Sequence, residues 1–284
     1  MRIILSTLLL ILTTTLLSAQ GFSGGFKAGL NFSTFEGELE GNGDVTLESF
    51  KRTTGFHVGA TFAYAVTDLF GFKADLMYSQ KGTERVYEGP SFLYIYTDNG
   101  QDLVRGDRRG NQDFINSYID IPVMVYYKIG PIELAAGPSI GFMINSAGSG
   151  GVRYTNTPYG PDVEIPVSYE ANYFRDETGA GSINTFSETP IPGTNVFLPN
   201  SVGAYYNSPT DENLFRRFDF GAVAGISFYL NNGLYIGGRY SLGLTDVTRV
   251  ENDLAAQLDE NGDRQFRDDN DRNRSIQVSL GFRF

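Results

Sequence analysis

The sequence predicts an all-β protein, an eight-stranded antiparallel up-and-down transmembrane β-barrel with short periplasmic turns and long extracellular loops. Three observations support this: apolar and polar residues alternate in eight segments, short and long connections alternate between the segments, and the apolar face is rich in aromatic residues. Alternation with a period of two indicates β-strands, because successive side chains of a strand point to opposite faces.

Residues 1–19 are predicted to form a signal peptide. Arg2 gives a positive start, an apolar run follows, and small residues precede a cleavage site after Ala19. The run is short for a membrane span, so we expect its removal and a single barrel domain over residues 20–284. The sequence has no cysteine, which excludes disulfides, thiolate metal sites and a lipid anchor on cysteine.

Each predicted strand has an apolar face and a face of Gly, Ser, Ala and charged residues. The first strand, for example, sets Phe26 and Leu30 against Lys27. The eight predicted strands cover residues 24–34, 54–66, 69–82, 116–129, 131–146, 216–230, 233–245 and 274–284.

The connections between these strands alternate in length. Tight turns are predicted at Thr67-Asp68, Gly130-Pro131 and Asn231-Asn232-Gly233. The four long connections cover residues 35–53, 83–115, 147–215 and 246–273. This asymmetry is typical of an integral protein of the cell outer membrane, with both termini on the periplasmic side.

The apolar face is predicted to contact outer-membrane lipid. An eight-stranded barrel has an interior just wide enough for side chains, and the aromatic residues of the apolar face are too bulky for it. A secreted soluble barrel or sandwich is the alternative fold. The alternating C-terminal segment from Ile276 to Phe284 looks like the signal read by the barrel-insertion machinery, the expected partner during biogenesis. The formal net charge of −11 argues against nucleic acid as a partner.

Several segments resemble successive landmarks of a known family. They are Thr54–Ala60 (TGFHVGA), Ala74–Gly82 (ADLMYSQKG), Tyr118–Tyr126 (YIDIPVMVY) with Ala136–Ser139 (AGPS), and Asp219–Phe228 (DFGAVAGISF). Together they resemble the PorT-like outer-membrane β-barrel domain of Gram-negative bacteria. The resemblance implies an eight-stranded outer-membrane barrel in a family whose namesake is an accessory factor in type IX protein secretion.

Charged residues on the polar face form a predicted lumen cluster. Buried charges are costly unless they are paired, so we expect these residues to pair across the lumen and plug it. A selectivity lining or proton path is the alternative. The cluster comprises Lys27, His57, Lys73, Asp75, Asp120, Lys128, Glu133, Arg217, Asp219, Arg239 and Arg283.

His57 is the one histidine of the sequence, and its parity directs it into the lumen. A catalytic histidine must lie near its substrate, and no GxSxG motif accompanies this one. We therefore expect a hydrogen-bonded structural residue, no catalytic residues, no cofactor and no enzyme activity.

Asp259, Asn261 and Asp263 form a weak calcium candidate. An EF-hand loop would need Gly at its sixth position and Glu at its twelfth, where this sequence has Arg264 and Asn270. A turn in a solvated acidic loop is favoured over a metal site.

Loop 147–215 is too rich in aromatic residues for a disordered segment. Its composition predicts either an ordered extracellular cap or a docking surface for a protein partner. The residues predicted to contact such a partner are Tyr154, Tyr159, Tyr169, Tyr173, Phe174, Tyr205 and Tyr206.

Three functions are compatible with these observations. The favoured one is a non-catalytic barrel with a plugged lumen, acting as an accessory or partner-binding subunit of a secretion- or envelope-related complex. The second is a narrow channel or transporter. The third is an outer-membrane lipid hydrolase or protease.

Overall fold

The computed structural model describes residues 21–160, 163–174, 185–186, 194–206, 213–230 and 233–284. The predicted signal peptide and parts of loop 147–215 lie outside these residues. The described residues form an all-β fold without helices. Among them, no helix is long and apolar enough to cross a membrane.

Eight of the strands are long and carry the architecture, and the others are short additions. In chain order the strands are β1 Phe22–Glu36, β2 Gly41–Asn42, β3 Val45–Thr46, β4 Glu48–Ala65, β5 Phe70–Thr97, β6 Gly100–Ile129, β7 Ile132–Thr155, β8 Ile165–Asn172, β9 Thr185–Phe186, β10 Pro199–Val202, β11 Phe218–Tyr229, β12 Leu234–Gly243, β13 Leu254–Leu258, β14 Arg264–Phe266 and β15 Arg272–Arg283. Each of the eight predicted strand ranges overlaps one long strand.

The long strands pair antiparallel with their neighbours in the order β11, β12, β15, β1, β4, β5, β6 and β7. Strand β7 also pairs with β11, so each of these strands has two hydrogen-bonded neighbours. The turn between β6 and β7 is closed at Gly130, whose φ of 59° is readily adopted only by glycine. The turn before β5 is held by Thr67, whose hydroxyl accepts the Phe70 N–H at 3.0 Å.

The two faces of the long strands differ as the alternation predicts. On one face, apolar side chains remain open, with Phe26 64% and Leu76 49% exposed. On the other face, polar side chains are buried, with Lys27 7% and Asp75 1% exposed. An open apolar band around a buried polar interior is the arrangement of a protein surrounded by lipid.

Strands β5, β6 and β7 extend far beyond the predicted bounds, and the prediction of a loop at 83–115 was wrong. Strands β5 and β6 stay paired from Phe70 and Tyr127 to a tight turn between Thr97 and Gly100. A strand crosses a membrane with about 9–11 residues. Strand β5 has 28 residues, so more than half of it projects beyond the apolar band.

The outer ends of β1 and β4–β7, together with β2, β3, β8–β10, β13, β14 and the described segments beside them, form a folded unit that we call the cap. Among the described residues it contains two aromatic cores. The inner core comprises Phe35, Phe114, Tyr118, Met143, Tyr173, Tyr205, Phe215 and Val247. The outer core comprises Leu93, Ile95, Val104, Val152, Tyr154, Ile165, Val167, Tyr169, Val196, Val202 and Tyr206.

Candidate functional site

The interior of the eight long strands contains ion pairs that cross from strand to strand. Asp75 of β5 contacts Lys27 of β1 and accepts a hydrogen bond from Arg239 of β12 at 2.9 Å. The Asp75 side chain is fully buried. One carboxylate therefore links three strands that are not all neighbours, across the width of the interior.

A second carboxylate hub lies nearer the short turns. Glu133 accepts hydrogen bonds from Lys73 and Arg283, each at 2.9 Å, and from the Tyr229 hydroxyl at 3.1 Å. Its side chain is also fully buried. The two cations leave this site with one positive charge in excess.

The third hub is a lysine and lies nearer the cap. Lys81 Nζ is 2.9 Å from Asp120 and 3.4 Å from Asp219. The Asn273 amide donates a further hydrogen bond to Asp219 at 2.9 Å. Each hub pairs opposite charges, as buried ions require.

The structure brings most of the predicted lumen cluster together, with two exceptions. Lys128 is half-buried and lies over the rings of Tyr126 and Tyr229, at 5.7 and 5.5 Å. Arg217 is half-buried and lies 4.8 Å from the Phe174 ring, on the cap side. Both residues therefore lie at the ends of the interior and outside the central ion pairs.

His57 lies in the interior with both ring nitrogens engaged. Nδ1 is 2.7 Å from Asn31 Oδ1, and Nε2 is 2.8 Å from Ser279 Oγ. This Ser–His–Asn chain has the bonding order of a hydrolase triad, which the sequence did not reveal because the residues are far apart along the chain. The adjoining cavity, lined by Ser279, measures about 30 Å³, which holds roughly two waters.

A second polar cluster lies in the cap and was missed from the sequence. Glu48 contacts Arg85 and is 2.9 Å from Arg267. Burial alone would raise the pKa of Glu48, but Arg85 and Arg267 outweigh it and hold that pKa below its usual value. Arg85 continues the inward parity of Lys81 on β5, and this continuation could have located the cluster.

Three carboxylates lie beside this cluster, and the neighbouring cations do not fully offset their negative charge. Asp253, Asp269 and Asp271 are buried, and one oxygen of each lies within 4.8 Å of the others, a spacing that could hold a metal ion. Burial raises the pKa of Asp253 to about 7 against the pull of Arg85, with a further rise from Asp269. Burial, and then the charges of Asp269 and Asp253, raise the pKa of Asp271 to about 8.

The calcium candidate Asp259, Asn261 and Asp263 lies elsewhere, in the exposed turn between β13 and β14. The Asp259 carboxylate accepts the Asp263 N–H at 2.6 Å, and the Asn261 amide donates to Asp259. The side chains therefore close the turn. Among the described residues, none of these three belongs to a group of acidic ligands that could hold a metal.

Most of the residues predicted to contact a partner through loop 147–215 are buried, which corrects that part of the prediction. Tyr154, Tyr169 and Tyr206 belong to the outer core, and Tyr173 and Tyr205 to the inner core. Tyr159 and Phe174 pack against these cores and are half-buried. These aromatic residues stabilise the cap and do not form an exposed docking surface.

Comparison with known proteins agrees with this architecture. The family described as "outer membrane protein beta-barrel domain" matches residues 18–249, most of the chain. The chain belongs to this family, which places it in the outer membrane as an integral protein.

Solved structures of bacterial surface proteins match at low identity. The Yersinia pestis attachment invasion locus protein Ail, in complex with sucrose octasulfate, is 12% identical with a TM-score of 0.36, covering 93% of this chain and 100% of Ail. Neisserial surface protein A is 9% identical with a TM-score of 0.36, covering 93% and 100%. OprG from Pseudomonas aeruginosa is 7% identical with a TM-score of 0.36, covering 93% and 96%. At these values the matches carry no argument about function. No curated protein matches the chain.

Proposed function

We propose that this protein is a non-catalytic, eight-stranded antiparallel outer-membrane barrel whose plugged lumen anchors a folded extracellular cap, and that the cap serves a partner complex of the envelope. The observation that carries the proposal is the set of interior ion pairs. The hubs at Asp75, Glu133 and Lys81 occupy an interior that is only just wide enough for side chains.

The plug is tested by conductance, which also tests the alternative of a narrow channel or transporter. Purified protein in planar bilayers should pass almost no current. A variant with Lys27, Asp75 and Arg239 all changed to Ser removes one hub and shows whether the hubs at Glu133 and Lys81 alone still block current. Steady single-channel currents from the unchanged protein would support a channel and refute the plug.

The orientation is proposed to place the short turns and both termini in the periplasm and the cap outside the cell. Since the sequence contains no cysteine, single cysteines report position cleanly. In intact cells a membrane-impermeant maleimide should label Asn99→Cys, at the exposed tip of the β5–β6 hairpin. It should not label Asp68→Cys, in the exposed turn before β5, until the cells are opened. The reverse pattern would invert the orientation.

The partner role is proposed for the exposed surface of the cap, in keeping with the PorT-like motifs and an accessory role in secretion. A photo-crosslinking residue at Glu164 or Glu170, both exposed within loop 147–215, should yield a discrete protein adduct in living cells. Controls are lipid-facing Leu76 and buried Tyr154, which should yield none. If the exposed cap positions give no protein adduct, loop 147–215 is not a docking element.

Hydrolysis is the second candidate function, favoured by the Ser279–His57–Asn31 chain. This candidate has less support than the barrel that anchors a cap, because Ser279 is 9% exposed and the cavity beside it holds roughly two waters. Such a cavity leaves no room for an ester substrate. A fluorophosphonate probe should therefore leave the folded protein unlabelled. Labelling that disappears in Ser279→Ala would establish a serine hydrolase.

A further inference from the structure

A cavity of about 90 Å³ lies in the cap, between the two aromatic cores. Its walls come from the outer parts of β5 and β6, from β8, and from the segments around residues 203–206 and 252–256. Tyr169 and Tyr206 of the outer core face it from one side, and Phe114 and Tyr173 of the inner core from the other. At about 15 Å³ per water-sized sphere, the cavity holds a group of roughly six non-hydrogen atoms.

One wall of the cavity carries a cation without a counter-ion. Arg108 is 6% exposed and donates one hydrogen bond, to Gln112 at 2.9 Å. Its guanidinium lies 5.7 and 5.5 Å from the rings of Tyr87 and Tyr169. No carboxylate of the described residues lies within 4 Å of it, and its buried Nε has no acceptor. Arg85 also lines the cavity, but Glu48 and Glu40 neutralise it.

Arg108 is unusual because a buried charge is normally paired and a buried donor is normally bonded. A guanidinium edge with a free Nε donor, held by aromatic rings on a cavity wall, is suited to a carboxylate. This wall therefore selects an anionic group.

Another wall of the same cavity carries side-chain oxygens that lack a hydrogen-bond donor among the described residues. Asp253 Oδ2 and Asn252 Oδ1 are buried, and no residue in the described part of the chain donates a hydrogen bond to them. The neighbouring carboxylate of Asp269 makes the potential at Asp253 more negative. An ammonium group, with three donors and a positive charge, matches these acceptors.

We propose that this cavity binds a small α-amino acid, with its carboxylate on Arg108 and its ammonium on Asp253 and Asn252. The volume suits glycine or alanine, and the aromatic and alanine residues of the wall suit a short apolar side chain. The site is independent of the protein partner proposed above, because it lies inside the cap and uses none of the cap's exposed residues.

Calorimetry on the full chain in detergent micelles tests the site at a pH above 8, where Asp253 and Asp271 are ionised. EDTA is present so that no divalent cation competes at the acidic end. The probes are L-alanine, acetate and methylammonium, each added to folded protein and also present during refolding, so that slow entry does not hide binding. L-Alanine should bind at least tenfold more tightly than either single-charge probe. Arg108→Gln and Asp253→Asn should each weaken L-alanine binding at least tenfold.

The matched control is Arg105→Gln, an exposed arginine on the same strand, which should bind L-alanine like the unchanged protein. Near-ultraviolet circular dichroism shows whether each variant keeps its cap, and the probe series on the unchanged protein remains decisive if a variant does not fold. If no amino acid binds under either protocol, the cavity holds only water and the proposal fails. Equal binding of acetate and L-alanine, or an undiminished affinity in Arg108→Gln, would also overturn it. The partner crosslinks from the exposed cap positions should be unaffected by Arg108→Gln, so the two proposals fail separately.

Discussion

Replacing Glu133 by Gln should destabilise the barrel strongly, because it removes the shared carboxylate of two buried cations. Lys73 and Arg283 each lie 2.9 Å from Glu133, and their side chains are 6% and 9% exposed. Two charge-assisted hydrogen bonds of about 1.5–3 kcal/mol each give a gross loss of about 3–6 kcal/mol. Removing one partner of a buried ion pair typically costs about 3–5 kcal/mol. We expect a loss of about 3 kcal/mol, because Gln retains one acceptor.

The assay is urea unfolding in detergent micelles, followed by the heat-modifiable shift in gel migration. The control is Glu164→Gln, which breaks the ion pair between Glu164 and Arg153. Their side chains are 60% and 69% exposed, so this substitution should lower the free energy of unfolding by less than about 1 kcal/mol. Adding Lys73→Gln to Glu133→Gln removes one stranded cation and should restore part of the lost stability. If the free energy of unfolding of Glu133→Gln lies within about 1 kcal/mol of that of the unchanged protein, water solvates the interior charges and the reasoning about buried ion pairs is refuted.

Three further predictions follow from the lipid face, the cap acids and the inner core. Leu76→Arg places a charge on the lipid face and should lower the free energy of unfolding in urea by about 2–4 kcal/mol. Leu103→Arg, at an exposed position of the cap, should change that free energy little. Since the pKa values of Asp253 and Asp271 are raised to about 7 and 8, the folded cap binds more protons than the unfolded chain between about pH 4 and 8. Cap stability should therefore fall as pH rises through this window, and Asp271→Asn should flatten the fall; an unchanged slope would contradict this. Phe215→Ala removes a ring within about 6 Å of Phe35, Phe114 and Tyr173, so it should cost about 3–5 kcal/mol in the cap and expose it to protease. Heat-modifiable migration of the barrel should persist, and loss of that migration would show that the two units unfold together.

The sequence predicted the parts of the structure that depend on the direction of side chains along a strand. Alternation alone predicted that Phe26 and Leu76 lie on the outer face and Lys27 and Asp75 on the inner face. Successive side chains of a strand must point to opposite faces unless a bulge intervenes. It also placed His57 in the interior. Alternation could not identify Asn31 and Ser279 as the partners of His57, because those contacts depend on the register between strands far apart in sequence.

The cap was harder to predict, because its residues do not follow a lipid-facing pattern. Outside the apolar band both faces of β5 and β6 contact water or the cap, so the run from 83 to 115 lacks the strong alternation of a spanning strand and was predicted as a loop. The tyrosines of loop 147–215 were predicted either to order a cap or to contact a partner. The structure buries most of them in the two cores, and composition could not predict this because aromatic residues are typical both of a buried core and of an exposed interface.

The interior and the cap are joined by one continuous row of side chains. On β5 the inward positions Lys73, Asp75, Lys81, Arg85 and Tyr87 run from the hub at Glu133 to the cavity beside Arg108, and all but Arg85 are at most 7% exposed. The side chain of Arg85 is 13% exposed. This row of packed and paired side chains connects the barrel interior to the cap. Under the function proposed above, the polar interior anchors the cap, and the cap carries the function.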